Sequence, residues 1–200
     1  HLWCSESARL IEAARDDWEA RGGRRDDVID LRDLPVDGPL PPFSGIIFAT
    51  YASLRRVTED ASRLDQLVAW FGAGEDGCIL FDEAQNLRNA RGQYRQNGDI
   101  SQQGEAANDL QNALPHARVT YLSATSASDI ASLGFAVRLG LWGPGTAFRT
   151  AKRFFEAMTA GGTNALEMVA RDLKAMGLYL AANLSFEGVK YERLSRKLTA

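Results

Sequence analysis

Five short, nearly continuous apolar runs, separated by longer segments of helical period, decide most of what this chain can become. The runs are HLWCS (1–5), VIDL (28–31), GIIFAT (45–50), GCILFD (77–82) and ARVTYLS (117–123). A strand with one wet face alternates apolar and polar side chains, whereas a strand without that alternation is covered on both faces, as in a parallel sheet flanked by helices. Apolar runs alternating with helical segments are the pattern of βαβ units, so the spacing predicts an α/β fold with a mainly parallel sheet.

The helices follow from the same periodicity. SARLIEAARDDWEARGG places Leu10, Ile11, Ala14 and Trp18 on one stripe and stops at Gly22-Gly23. DASRLDQLVAWFGAG does the same with Leu64, Leu67, Val68 and Phe71, and GEAANDLQNALPHA gives a third helix. The Pro-rich LPVDGPLPPFSG (34–45) fits neither a helix nor a central strand and reads as a surface connection. From Gly140 a Gly/Pro-punctuated loop leads into three expected helices, 150–160, 163–177 and 178–186, and a last strand-like run, 188–194. Phe154, Phe155, Met158, Met168 and Met176 lie on helical stripes and are expected to pack. The organisation expected is a lobe over 1–140 and a helical extension over 141–200.

Composition removes several classes. No apolar run approaches the roughly 20 residues needed to span a bilayer, so no membrane partner is expected. The net charge of −3 excludes a surface that is basic all over, and any nucleic-acid contact must be local. Cys4 and Cys78 sit inside strand-like runs and are expected as free thiols. The chain opens at His1 with no Met and no basic-then-apolar leader, the expectation for a piece of a longer intracellular polypeptide.

Two strand ends carry chemistry. GCILFDEAQN places Asp82 and Glu83 directly after a buried run, where an unpaired carboxylate is costly unless water, a cation or a ligand meets it. They either open a solvated loop or form part of a site. YLSATSASD ends another strand in Ser123-Ala124-Thr125, hydroxyls that either cap the following helix near Ala127 or serve the same site. Both open on the carboxyl edge of one presumed parallel sheet, the edge at which α/β folds bind ligands.

This pair resembles the Walker B and third motifs of superfamily-two helicases and related translocases. The resemblance extends along the chain. LWCSES before a helix, GIIFATYASL, GCILFDEAQNLRN, LPHARVTYLSATSASD, VRLGLWGPGTAF and GGTNALEMVARDLKAMGLYLAANLSFEGV look like the strawberry notch family of helicase-like NTP hydrolases over nearly all 200 residues. The last two segments are the specific ones. The family's acidic motif usually reads Asp-Glu-Cys-His, and this chain departs from it with Asp82-Glu83-Ala84-Gln85. The resemblance implies a RecA-like P-loop NTPase lobe acting with ATP and Mg2+ on nucleic acid, with DNA ahead of RNA, together with a second motor lobe of the same polypeptide. It implies a cytoplasmic location in a prokaryote or phage-infected cell and a nuclear one in a eukaryote.

The implied roles agree with the chemistry of the residues. Phosphoryl transfer needs neutralised phosphate charge and an oriented nucleophile, which a metal-holding carboxylate and a second carboxylate aimed at water supply. Asp82 would take magnesium through its water shell, since this ion dehydrates reluctantly. Glu83 would orient and deprotonate the hydrolytic water. Gln85, Ser123 and Thr125 are uncharged and suit hydrogen bonds that change when the γ-phosphate is lost. By resemblance, Ser5, Ser7, Thr50 and Tyr51 follow the strand ends that grip a phosphodiester backbone, although Ser5 and Thr50 could equally cap helices. Arg55 and Arg56 could add charge or form a solvated face. The polar segment 87–99, with three Arg, suggests partner contact.

No Gly-x-x-x-x-Gly-Lys-Ser/Thr occurs in the chain, and Lys152 in GPGTAFRTAK is misplaced for a phosphate loop. The expectation is therefore a motor lobe whose phosphate loop and second lobe lie elsewhere in the polypeptide, inactive by itself. The alternative is a non-catalytic nucleic-acid or protein interaction module that keeps the fold, because fold alone does not imply function.

Overall fold

A computed structural model describes residues 1–57, 62–72, 74–87, 101–124 and 133–181. Its sheet has five strands, β1 (Leu2–Ser5), β2 (Val28–Asp30), β3 (Ile46–Thr50), β4 (Cys78–Phe81) and β5 (Arg118–Tyr121). They lie in the order β2-β3-β1-β4-β5, every neighbouring pair parallel. All five apolar runs are thus strands. The helices are α1 (Ile11–Glu19), α2 (Tyr51–Leu54), α3 (Arg63–Phe71), α4 (Gln102–Ala113) and α5 (Ala151–Ala175).

Strand side chains alternate between two apolar layers. Leu2, Cys4, Ile47 and Ala49 enter the main core with Leu54, Leu67, Phe71, Ala107 and Leu110 from the helices. Phe48 and Ile46 point to the opposite face, where Ile11 and Ala14 of α1 cover them with Val28. Fully burying a Leu, Ile or Phe side chain stabilises by about 1.5–3 kcal/mol. Two-sided burial is thus the physical reason these runs are continuous rather than alternating. With parallel strands sandwiched by helices, the fold is a RecA-like α/β lobe.

Not every expected face is the one buried. On α3 the buried residues are Arg63, Gln66, Leu67 and Phe71, with Leu64 and Val68 only partly covered. The helix is turned toward the Pro-rich connection. The Arg63 guanidinium, on a residue 3% exposed, donates to the carbonyl of Leu34 at 2.9 Å, of Leu31 at 3.2 Å and of Pro35, and to Gln66 Oε1 at 2.9 Å. Gln66 Nε2 donates onward to the carbonyls of Val36 at 2.8 Å and Gly38 at 2.6 Å. A connection that cannot form ladder bonds is thus held by two polar side chains of a neighbouring helix.

The C-terminal part forms a second apolar cluster around Phe154, Phe155, Met158, Leu141 and Leu173. Within α5, Gly162 adopts φ 58° and ψ −146°, so the segment is two helices joined at a kink. That conformation suits only glycine, and both halves, the expected helices 150–160 and 163–177, contribute side chains to that cluster. The expected third helix does not begin at 178: residues 178–181 are not helical. Gly177 takes φ 71°, which ends α5, and apolar spacing in LYLA is not enough to restart it. The rest of that segment and the run 188–194 lie outside the described residues, as does most of 87–99. Cys4 and Cys78 are free thiols. Among the described residues no helix is long and apolar enough to cross a membrane.

Candidate active site

The carboxyl ends of β1, β3, β4 and β5 converge on the acidic motif. The register of β4 with β5 pairs Leu80 with Thr120 and Phe81 with Tyr121. Leu122 N continues the ladder by donating to Phe81 O at 2.8 Å. In a regular parallel ladder the Leu122 carbonyl would next accept from residue 83. It accepts instead from Ala84 N at 2.8 Å, so Glu83 is one residue too many for the ladder and is left as a bulge. Glu83 has φ 52°, in the left-handed region. A non-glycine residue held there costs on the order of 1–3 kcal/mol and marks sites where surrounding structure over-determines the backbone. Bulges of this kind re-aim a side chain at the edge of a sheet.

Three sets of contacts over-determine it. Asp82 N donates to Cys4 O at 2.8 Å, tying the turn to β1. Ser5 Oγ, on a fully buried residue, donates to Asp82 Oδ2 at 3.0 Å. Tyr51 Oη donates to the main-chain carbonyl of Asp82 at 2.6 Å. Burial, and after it the charges of neighbouring acidic groups including Asp82 and Glu83, pushes the Tyr51 phenol far above its ordinary range, so it remains a donor. Beneath the turn the rings of Tyr51, Phe81, Tyr121 and Phe135 run as a row, with centroids 6.4, 5.8 and 5.6 Å apart.

A second chain of bonds leads from Glu83 toward β5. Gln85 Nε2 donates to Glu83 Oε2 at 2.5 Å, and Ser123 Oγ donates to Gln85 Oε1 at 2.6 Å. The amide of Gln85 thus links the carboxylate of one motif to the hydroxyl of the other. On the opposite side, Asn86 Nδ2 donates to Glu6 Oε2 at 2.7 Å.

The structure therefore brings together Asp82, Glu83, Gln85, Ser123, Ser5 and Tyr51. Ser5 and Tyr51 do not stand as strand-end hydroxyls open to a phosphodiester: both residues are buried, and both hydroxyls are engaged by Asp82. Thr50 and Ser7 are helix caps. Thr50 Oγ1 accepts from Ser53 N at 3.1 Å in a reciprocal capping box, and Ser7 Oγ accepts from Arg9 N at 3.3 Å. Arg55 and Arg56 are exposed, and Arg55 donates to Gln102. Lys152 pairs with Glu156 at 3.9 Å on α5. Thr125 lies outside the described residues. The Tyr51 contact escaped the sequence reading, and its only signal is an aromatic hydroxyl placed directly after a buried strand.

The donor set fits magnesium bound through water rather than caged by protein. Among the described residues no group of three or more His, Cys, Asp or Glu could hold a metal ion. Ser5 takes Oδ2 of Asp82, and among the described residues no side chain donates to the other oxygen. One carboxylate beside waters and phosphate oxygens is how this ion is usually held.

A protein family described as P-loop containing NTP hydrolase pore-1 matches residues 1–200. Over 204 aligned residues, covering all of this chain, it is 39% identical to Protein FORGETTER 1 of Arabidopsis thaliana. It is 42% identical to strawberry notch homolog 2 of Mus musculus and 40% identical to strawberry notch of Drosophila melanogaster, each over 74% of the chain. The chain spans 16% of the Arabidopsis protein, 11% of the mouse protein and 9% of the fly protein. No solved structure matches the chain.

Proposed function

Because the chain belongs to the strawberry notch family of P-loop NTP hydrolases, we propose that it supplies the metal-holding carboxylate, the base and the coupling relay of an ATP hydrolase that acts on nucleic acid. The observation that carries this reading is the bulged, left-handed Glu83 beside Asp82, joined through Gln85 to Ser123. A loop that merely solvated two charges would have no reason to hold one of them in a costly backbone conformation.

Asp82 would hold magnesium, with Ser5 fixing its carboxylate plane. When bound, the ion neutralises charge on the phosphates. Glu83 orients the hydrolytic water and takes its proton on the oxygen that Gln85 does not occupy. Gln85 fixes the carboxylate and reads its state, passing a change in hydrogen bonding to Ser123 and so to the chain after β5. The phosphate loop, which has no counterpart in residues 1–200, is contributed by another segment of the polypeptide, as is the second motor lobe. Among the described residues β5 pairs only with β4, and a parallel strand added at its open edge would end beside Ser123. The test is ATP turnover by the full-length protein, measured alone and with DNA or RNA. A full-length protein that binds nucleic acid without magnesium-dependent hydrolysis would favour the non-catalytic module instead.

The coupling role makes its own prediction. Neither Ser123 nor Thr125 can replace a metal-holding carboxylate or act as a base at neutral pH. Changing both to Ala is therefore expected to keep basal hydrolysis within about tenfold while nucleic-acid stimulation is lost. If the two hydroxyls only cap a helix, the double variant loses about 1 kcal/mol per cap and every activity declines together through unfolding. Melting temperature, basal turnover and stimulated turnover measured on one preparation separate these outcomes.

A further inference from the structure

We propose that Tyr51 is a positioning residue for the acidic motif: its hydroxyl holds the Asp82–Glu83 peptide in the one orientation that keeps Glu83 left-handed. The peptide plane between these residues sets ψ of Asp82 and φ of Glu83 together, so a donor fixed on its carbonyl fixes both. Tyr51 Oη reaches that carbonyl at 2.6 Å. The ring cannot follow if the peptide turns over, because it is buried at 1% exposure and stacked on Phe81. It also starts α2 directly after β3, with Thr50 and Ser53 locking the helix entry through their reciprocal caps. The clamp therefore comes from a rigid element two strands away from β4 in the sheet.

Without the hydroxyl the carbonyl loses its donor, and the remaining contacts hold Asp82 N, the Asp82 carboxylate and Ala84 N but not the peptide between Asp82 and Glu83, which is then free to let Glu83 relax to negative φ. That relaxation would swing the Glu83 carboxylate away from Gln85 and break the relay to Ser123. Ser5 would still hold the Asp82 side chain, so the metal-holding group should suffer less than the base. The effect on backbone order does not depend on what the site does, whereas the effect on turnover rests on the hydrolase reading above.

The experiment is Tyr51→Phe in the full-length protein, which keeps the ring and its stacking. Hydrogen exchange followed by mass spectrometry on the protein without nucleotide is expected to quicken by about tenfold or more in peptides covering 80–87, with β2 and α5 unchanged. Leu54→Ala, on the same short helix and also fully buried, serves as the packing control: it should lower the melting temperature without singling out 80–87. ATP turnover by Tyr51→Phe is expected to fall about tenfold in kcat with KM for ATP within about twofold. Unchanged exchange at 80–87, or a rise spread evenly over the sheet, would overturn the clamp. Weakened binding of a DNA oligonucleotide with unaltered exchange would also overturn it, by making Tyr51 a backbone grip. Quickened local exchange in a protein whose wild type shows no ATP turnover would uphold the clamp and remove the hydrolase reading.

Discussion

Glu83→Gln in the full-length protein is expected to leave ATP bound and to slow its hydrolysis by about 10²-fold or more, equivalent to about 2.7 kcal/mol of lost transition-state stabilisation. The substitution keeps the size of the side chain and an oxygen that can still accept from Gln85 Nε2, the contact seen at 2.5 Å. It leaves the left-handed backbone as strained as before, so stability should barely change. Only the capacity to take a proton disappears. Turnover and nucleotide affinity, the latter by titration with a fluorescent ATP analogue, check the two halves of the expectation. Collapsed affinity with normal residual turnover would make Glu83 a structural residue and would remove the base from the mechanism.

The second large effect lies far from the chemistry. Arg63→Ala should destabilise the protein by about 3 kcal/mol, because several buried or half-buried carbonyls lose a charged donor at once and each unsatisfied acceptor costs about 1–3 kcal/mol before water relieves part of it. The carbonyls of Leu31, Leu34 and Pro35 and the Gln66 amide all contact this guanidinium. Arg63→Lys keeps a charge yet presents one compact ammonium in place of a planar fork, and it should recover less than half of the loss. Thermal unfolding together with hydrogen exchange over 31–40 measures the outcome. A loss under about 1 kcal/mol would mean that water already satisfies the Pro-rich connection.

These two residues also mark where sequence reading succeeded and where it could not. Strands were legible because burial on both faces leaves no polar alternation, and each apolar run from HLWCS to ARVTYLS is a strand in parallel register. The polar residues of the candidate site were legible as strand-end residues, and five of them stand close together in two hydrogen-bonded sets: Asp82 with Ser5, and Glu83 through Gln85 to Ser123. Arg63 was not legible. A charged residue on an amphipathic helix is ordinarily solvated, and only the neighbouring connection, with its unpaired carbonyls, turns that face inward. Nor was the Tyr51 clamp, since the direction of the first side chain of α2 depends on how that helix meets the sheet. Glu83 gives no hint of positive φ, because that conformation is imposed by contacts from β1, α2 and the residue that follows β5 and opposes the residue's own preference. Local rules fail here where tertiary contacts fix the backbone of the candidate site.

The bulge at Glu83 also sets the phase of everything that follows. In an unbroken strand successive side chains face opposite ways, so two adjacent carboxylates could not both be delivered to one face. By adding one step without adding one ladder bond, the chain resets that count. It then enters the short 3-10 turn Ala84–Leu87 with Ala84 and Leu87 fully buried and Gln85 and Asn86 left toward the edge. What the motif encodes is thus a count as much as a spelling. A substitution within it changes one side chain, but deleting or inserting a single residue would turn the whole segment over, sending two apolar side chains to water and the Gln85 amide into the core.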